Sequence, residues 1–260
     1  MKYIYSLLLI LAGYTASAQI YFNAGYSYSS PQQEMAKNIN GLHSLSTGFM
    51  YRFPGKLSRI QAGIDLSWGM YADEQKKQTF NFGGGFSTET WVNYTSNVAQ
   101  VRATARVFLL EDKQVMPYIS GKAGYTNFYS NVYIEDPHDP NGCKALDQDN
   151  IIKDGIFSVA YGGGLQFDWR LFGSRKQAGR RYIDISVNNI RGGKISYINT
   201  KKLIDANNPP VGSNGKPLTV RFINASTQEI HEHQVAEVYT TSLRMLEFKI
   251  STVFLLDWGR

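Results

Sequence analysis

Cysteine is almost missing from this chain of 260 residues. Cys143 stands alone, which excludes an intrachain disulfide framework and any metal site built from several thiolates. Long apolar runs are missing too. Beyond the first 18 residues nothing approaches the roughly 18 to 20 consecutive apolar residues that a membrane-crossing helix requires. Charge is sparse, at 18% of residues. Aromatic and small residues are plentiful: 17 Tyr, 14 Phe and 24 Gly within a composition that is 43% hydrophobic, too apolar for a disordered chain. The formal charge of +6 raises the question of nucleic acid. The cations crowd one segment, Arg175, Lys176, Arg180 and Arg181, or lie scattered without interleaved stacking aromatics, so no nucleic-acid partner is expected.

The N-terminus points to export. Lys2 precedes an uncharged stretch centred on Leu7 to Leu11, and Ala16-Ser17-Ala18 supplies small residues before Gln19. This is the pattern of a cleaved secretory signal over residues 1–18, leaving residues 19–260 as one domain. No Cys follows Ala18, so a lipoprotein anchor at the new N-terminus is not expected.

Most of the remainder has a period of two. Phe157, Val159, Tyr161, Leu165, Phe167, Trp169 and Leu171 share one parity, opposed by Ser158, Gly162, Gln166, Asp168 and Arg170. Ile60 to Met70, Ala99 to Leu109 and Leu246 to Leu256 alternate in the same way, which predicts strands with one apolar and one polar face. Eight such segments are expected, near residues 20–28, 42–53, 60–71, 90–110, 115–130, 156–172, 182–199 and 240–257. Connections after the second, fourth and sixth are short and the others long. An even count with this asymmetry predicts an all-β fold, an eight-stranded antiparallel up-and-down transmembrane β-barrel with short periplasmic turns and long extracellular loops.

Orientation of the faces separates this fold from a soluble periplasmic ligand-binding β-barrel, which would turn its apolar face inward. Arg52, Asp65, Arg102, Arg106, Lys122, Asp168, Arg170, Asp184, Glu247 and Lys249 lie on the polar face and are expected as a charge network in the lumen. Trp68, Trp169 and Trp258 share the apolar parity near strand ends, as expected for aromatic girdles at headgroup level. Trp91 precedes Asn93, Thr95 and Asn97 and is expected above the membrane on an extended hairpin. Arg191 breaks the seventh strand, because continued parity would turn it to lipid; a bulge between Asn188 and Gly193 is expected to reset the register.

The stretch Met116-Pro117-Tyr118-Ile119-Ser120-Gly121-Lys122-Ala123-Gly124-Tyr125, followed by Ala160-Tyr161-Gly162-Gly163-Gly164-Leu165 and a closing amphipathic strand, resembles outer-membrane barrels of the OmpA, OmpX and OmpW type. The signal ending in Ala-Gln resembles their Bacteroidetes version. The resemblance implies an outer-membrane location among lipid and lipopolysaccharide, and it defines architecture rather than activity. Such chains commonly end on an aromatic residue, whereas this one ends Trp258-Gly259-Arg260.

An eight-stranded barrel is just wide enough for side chains to fill it. A plugged lumen held by ion pairs is therefore expected, with a narrow channel or small-ligand transporter as the alternative. None of His43, His138, His231 and His233 stands beside a distinctive Ser or Asp motif, and no enzyme activity and no cofactor are expected. Glu229, His231 and His233 share a parity and are weak candidates for a divalent metal. Asp136, Asp139, Asp147, Asp149 and Asp154 do not follow a calcium-loop pattern. The segment near residues 200–239 is long for a connection. Leu218, Val220 and Phe222 alternate within it, predicting an additional hairpin above the membrane. It is the expected contact with a surface glycan or an envelope protein.

Overall fold

The computed structural model describes residues 19–81, 87–111, 113–135, 145–173, 180–203, 215–223 and 230–256. The leader segment and Trp258 lie outside them. Nine strands follow in order: β1 (Gln19–Pro31), β2 (Leu42–Arg52), β3 (Ile60–Asn81), β4 (Ser87–Phe108), β5 (Val115–Glu135), β6 (Ala145–Asp168), β7 (Arg181–Ile198), β8 (Lys216–Ile223) and β9 (Ile230–Leu256). Each of β1 to β6 pairs with its successor, β7 pairs with β9, and β9 pairs back with β1. All pairings are antiparallel, and eight strands close a ring. β8 pairs with the upper part of β9, from Lys216 opposite Val238 to Ile223 opposite Ile230; this is the additional hairpin that the alternation at Leu218 predicts.

The strands are longer than their amphipathic cores. β3 and β4 remain paired from Ala72 opposite Ser96 up to Asn81 opposite Ser87, and β5 stays paired with β6 as far as Glu135 opposite Ala145. Two of the expected long loops are therefore largely β-ladder. These extensions are polar on the outside, as at Asp73, Gln75, Asn93 and Thr95, so the lipid-facing alternation that marks a membrane strand is lost while backbone pairing continues.

Among the register shifts of the ladders, two bear on which side chains face outward. Tyr71 is the extra residue between Met70 and Ala72 in the β3–β4 ladder, and Gly192 and Gly193 together face Leu243, one extra residue between Arg191 and Lys194 in the β7–β9 ladder. The second lies within the expected region, but it follows Arg191 rather than turning it inward. Arg191 stays on the outer wall with its guanidinium 5.4 Å from the centroid of the Tyr161 ring.

The sixth strand ends sooner than its parity suggested. Asp168 accepts a hydrogen bond from the Arg170 backbone N–H at 2.9 Å, capping a 3-10 turn over Trp169–Phe172 that closes at Gly173 with φ +98. Trp169 and Leu171 thus leave the strand alternation, and Trp169 packs against Phe172 with ring centroids 5.8 Å apart.

Glycine also makes room in the wall. A Cβ on Gly164 would come within 2.6 Å of the Tyr118 hydroxyl, so this position leaves space for that side chain.

Candidate functional site

The outer surface of the ring is apolar: Ile64, Val101 and Phe157 are 54%, 56% and 62% exposed, whereas Asp65, Arg102 and Asp168 are 5%, 1% and 1% exposed. A soluble barrel would show the reverse, and this orientation excludes the ligand-binding periplasmic alternative. An apolar exterior on a closed ring leaves no backbone group facing hydrocarbon unpaired.

The lumen is built in layers. At the periplasmic end Tyr21, Met50, Phe108, Met116, Tyr118, Tyr182 and Val253 form an apolar, aromatic layer. Above it the central charges meet. Lys122 Nζ lies 2.7 Å from Asp65 Oδ2 and 3.2 Å from Glu247 Oε1; Lys249 Nζ lies 2.9 Å from Asp65 Oδ1; Arg102 Nη2 lies 2.9 Å from Glu247 Oε2. Gln100 and Asn188 complete this cluster, accepting from Arg102 at 2.6 Å and donating to Glu247 at 3.1 Å. A second cluster joins Arg106 Nη1 to Asp184 Oδ2 at 2.9 Å, with the Tyr118 hydroxyl donating to Asp184 Oδ1 at 2.8 Å. Breaking one member of such a buried pair leaves the other charge unsolvated, so each side chain holds the next in place.

Seven of the ten charges expected in the lumen thus join these two clusters, and three have other roles. Arg170 is on the 3-10 turn, largely exposed, with Nη2 3.0 Å from Asp168 Oδ2; Asp168 is buried at the periplasmic end, beside that turn. Arg52, at the last position of β2, donates from Nε to the Ser58 carbonyl at 2.7 Å and has Nη2 4.0 Å from Glu111 Oε1. Glu111 binds this periplasmic corner, also accepting from Ser58 Oγ at 2.9 Å, and no periodicity in the sequence marks it.

Above the charge layer the interior turns apolar. Met35, Ile39, Leu42, Tyr71, Val98, Phe128, Ile190, Ile195, Tyr197, Leu243 and Met245 pack together across the barrel. Met35 belongs to the single-turn helix α1 (Met35–Asn38), which the first extracellular connection folds into the mouth. Asn38 fastens it: the Thr200 backbone N–H donates to its carbonyl at 3.0 Å, and its Nδ2 donates to the Tyr197 hydroxyl at 3.1 Å. Higher still, Phe80, Val92, Tyr94, Val132, Ile134, Ile152, Ile198, Val235 and Ala236 form another core, with Leu203 and Leu218 against it. Upper β3 to β6 on one side and β7, β9 and β8 on the other enclose a β-dome. The Tyr94 hydroxyl spans it, donating to the Val235 carbonyl at 2.8 Å.

Around the outer rim, Trp68 is exposed and donates from Nε1 to the Tyr129 hydroxyl at 2.5 Å. His43 is on the same outer wall, its Nδ1 bonded to the Tyr26 hydroxyl and its ring 5.2 Å from that of Tyr28. Trp91 is exposed on the dome, opposite Lys77 in the β3–β4 ladder. Of the weak metal candidates, the His233 ring packs edge-on against Phe80 at 5.3 Å, while Glu229 and the His231 side chain lie outside the described residues. The described residues contain no cluster of three metal-binding side chains. Cys143, His138, Asp136 and Asp139 also lie outside them.

No family model matches the chain, and no curated protein is similar to it. Among solved structures it is similar to Neisserial surface protein A, at 8% identity and TM-score 0.43 over 92% of this chain and 99% of that one. A major outer membrane protein from Thermus thermophilus gives 9% identity and TM-score 0.44 over 92% and 100%. The attachment invasion locus protein Ail of Yersinia pestis, solved with the heparin analogue sucrose octasulfate, gives 13% identity and TM-score 0.41 over 92% and 99%. The class follows from the geometry itself. A closed antiparallel ring, apolar outside and ionic within, with strand connections alternating between its two ends, defines an integral β-barrel of the outer-membrane type.

Proposed function

We propose that this protein is a non-conducting, non-enzymatic outer-membrane barrel that holds a β-dome at the cell surface to bind a surface ligand or an envelope partner. The single observation behind the reading is the filled interior: an aromatic layer, two ion-pair clusters and two apolar cores succeed one another from the periplasmic end to the dome. Among the described residues, buried packing of this kind argues against a continuous water path. The narrow-channel alternative lacks a comparable support. In planar bilayers the folded protein is expected to be electrically silent, and discrete conductance steps would overturn the reading.

The described parts of the segment near residues 200–239 serve this reading as part of the dome, because Val235 and Ala236 belong to its core and Leu203 and Leu218 pack against it. Contact is therefore assigned to its outward side chains, including Lys216, Thr219 and Glu232. A photo-crosslinking residue at Thr219 in intact cells is expected to give adducts of discrete mass. Adducts from the lipid-facing position Tyr125 alone would count against partner binding.

A further inference from the structure

We propose that Arg191, Lys194 and Arg244 form a site for the phosphate headgroup of an outer-leaflet lipid. Arg191 of β7 lies directly opposite Arg244 of β9. Both turn outward, since Ile190, Leu243 and Met245 beside them are buried. Side chains directly opposite in an antiparallel pair are about 4.5 to 5.5 Å apart at Cβ, and two like charges there repel. The Gly192–Gly193 bulge adds a third cation: it shifts the phase so that Lys194 faces outward while Ile195 is buried. Among the described residues none of the three has a carboxylate within ion-pair distance; Arg191 donates from Nε to Asn189 Oδ1 at 3.1 Å and lies against the exposed Tyr161 ring.

A shared anion converts this repulsion into attraction, and the planar guanidinium fork matches two phosphate oxygens. The source of the phosphate follows from continuity with the lipid-facing wall. On the same strands, beyond Asn189 and Leu246 toward the periplasmic end, the outward positions include Ile185, Val187, Phe248 and Ile250, all exposed and apolar. A ligand seated on the three cations therefore has its acyl chains running down this wall. The inference rests on the outer-membrane reading of the barrel and adds a specific headgroup to it.

The test uses full-length protein in neutral detergent, titrated by native mass spectrometry with diphosphorylated lipid A, the same lipid dephosphorylated, and inorganic phosphate. Arg191→Gln with Lys194→Gln and Arg244→Gln is expected to weaken the phosphorylated lipid by on the order of a hundred-fold, near five-fold per cation. Dephosphorylated lipid is expected to bind wild type and variant alike, and Lys77→Gln on the dome to change nothing. Equal binding of phosphorylated lipid by wild type and the triple variant would overturn the site. Inorganic phosphate bound as tightly as the lipid would overturn the lipid assignment. If the triple variant does not fold, Arg191→Lys keeps the charge and loses the fork; it is expected to bind the phosphorylated lipid more weakly than wild type, and undiminished binding overturns the chelate. A wild-type barrel without a heat-dependent gel shift would instead fault the membrane reading.

Discussion

Arg102 and Tyr94 project from the same face of β4, both buried, and they answer to opposite surroundings. Around Arg102 the partners are Glu247 and Gln100, while the wall outside is Val101 and Ala103. Around Tyr94 the partners are Phe80, Val132 and Val235, and the wall outside is Asn93 and Thr95. Within one strand, and without a register change on β4, the protein passes from an inverted barrel to an ordinary one. The medium outside dictates the switch. In hydrocarbon the exterior must be apolar, and the narrow interior can then hold ions only by pairing them. In water the hydrophobic effect again fills the interior. What the comparison teaches is that closure of the ring is common to both regions, while the filling is a local response to solvent.

The comparison can be broken first at the ion pairs. Glu247→Ala strands Arg102 in the lumen, leaves Lys122 with Asp65 alone and is expected to cost about 3 to 5 kcal/mol, measured by urea unfolding in lipid and followed by the heat-dependent gel shift. In the apolar core above the ions, Phe128→Ala removes a ring packed against Tyr71 and Tyr197 and is expected to cost about 3 kcal/mol. Its signature is faster proteolysis of the dome with the membrane ring still resistant. On the outside, Ile64→Arg is expected to destabilise by about 2 to 4 kcal/mol near mid-membrane. Thr95→Arg, at the equivalent outward alternation on the dome, is expected to stay within about 0.5 kcal/mol.

A pH-dependent effect is expected at Tyr94. Burial holds its phenol above the usual tyrosine range, with the hydrogen bond from Gln78 opposing. The unfolded phenol ionises near pH 10 while the folded one stays neutral. Its contribution to dome stability is therefore complete below pH 10 and falls as pH rises beyond it. Proteolysis of the dome between pH 9 and 11 checks this, and Tyr94→Phe is expected to flatten the slope at a cost of about 1 kcal/mol for each of its two lost hydrogen bonds.

Much of the membrane ring was legible from residue parity. Alternation at Ile60 to Met70, Ala99 to Leu109 and Leu246 to Leu256 separates lipid-facing from lumen-facing positions, because a strand exposes successive side chains to opposite sides. Parity misled at Trp169, Arg170 and Leu171, where Asp168 caps a 3-10 turn instead of continuing β6. It put Trp91 on an extended hairpin above the membrane but was silent on the core of the dome, whose outer face is polar and whose inner residues Val92, Tyr94, Val132 and Ile134 come from β4 and β5 with no shared motif. Leu218 did signal the β8–β9 hairpin, but not that its side chain would pack against the dome core.

Sequence alone determined that the chain is built of amphipathic strands, since local alternation needs no distant partner to be read. It also determined that Asp65, Arg102, Arg106, Lys122, Asp184, Glu247 and Lys249 would share one face of those strands. Only the tertiary structure decided that Lys122 bridges Asp65 and Glu247, that Arg52 turns instead to Glu111, and that Arg191 meets Arg244 beside a bulge. Those choices depend on strand register and ring closure, which bring together residues from strands far apart in the chain, and no local pattern encodes which charges will face each other once the ring is closed.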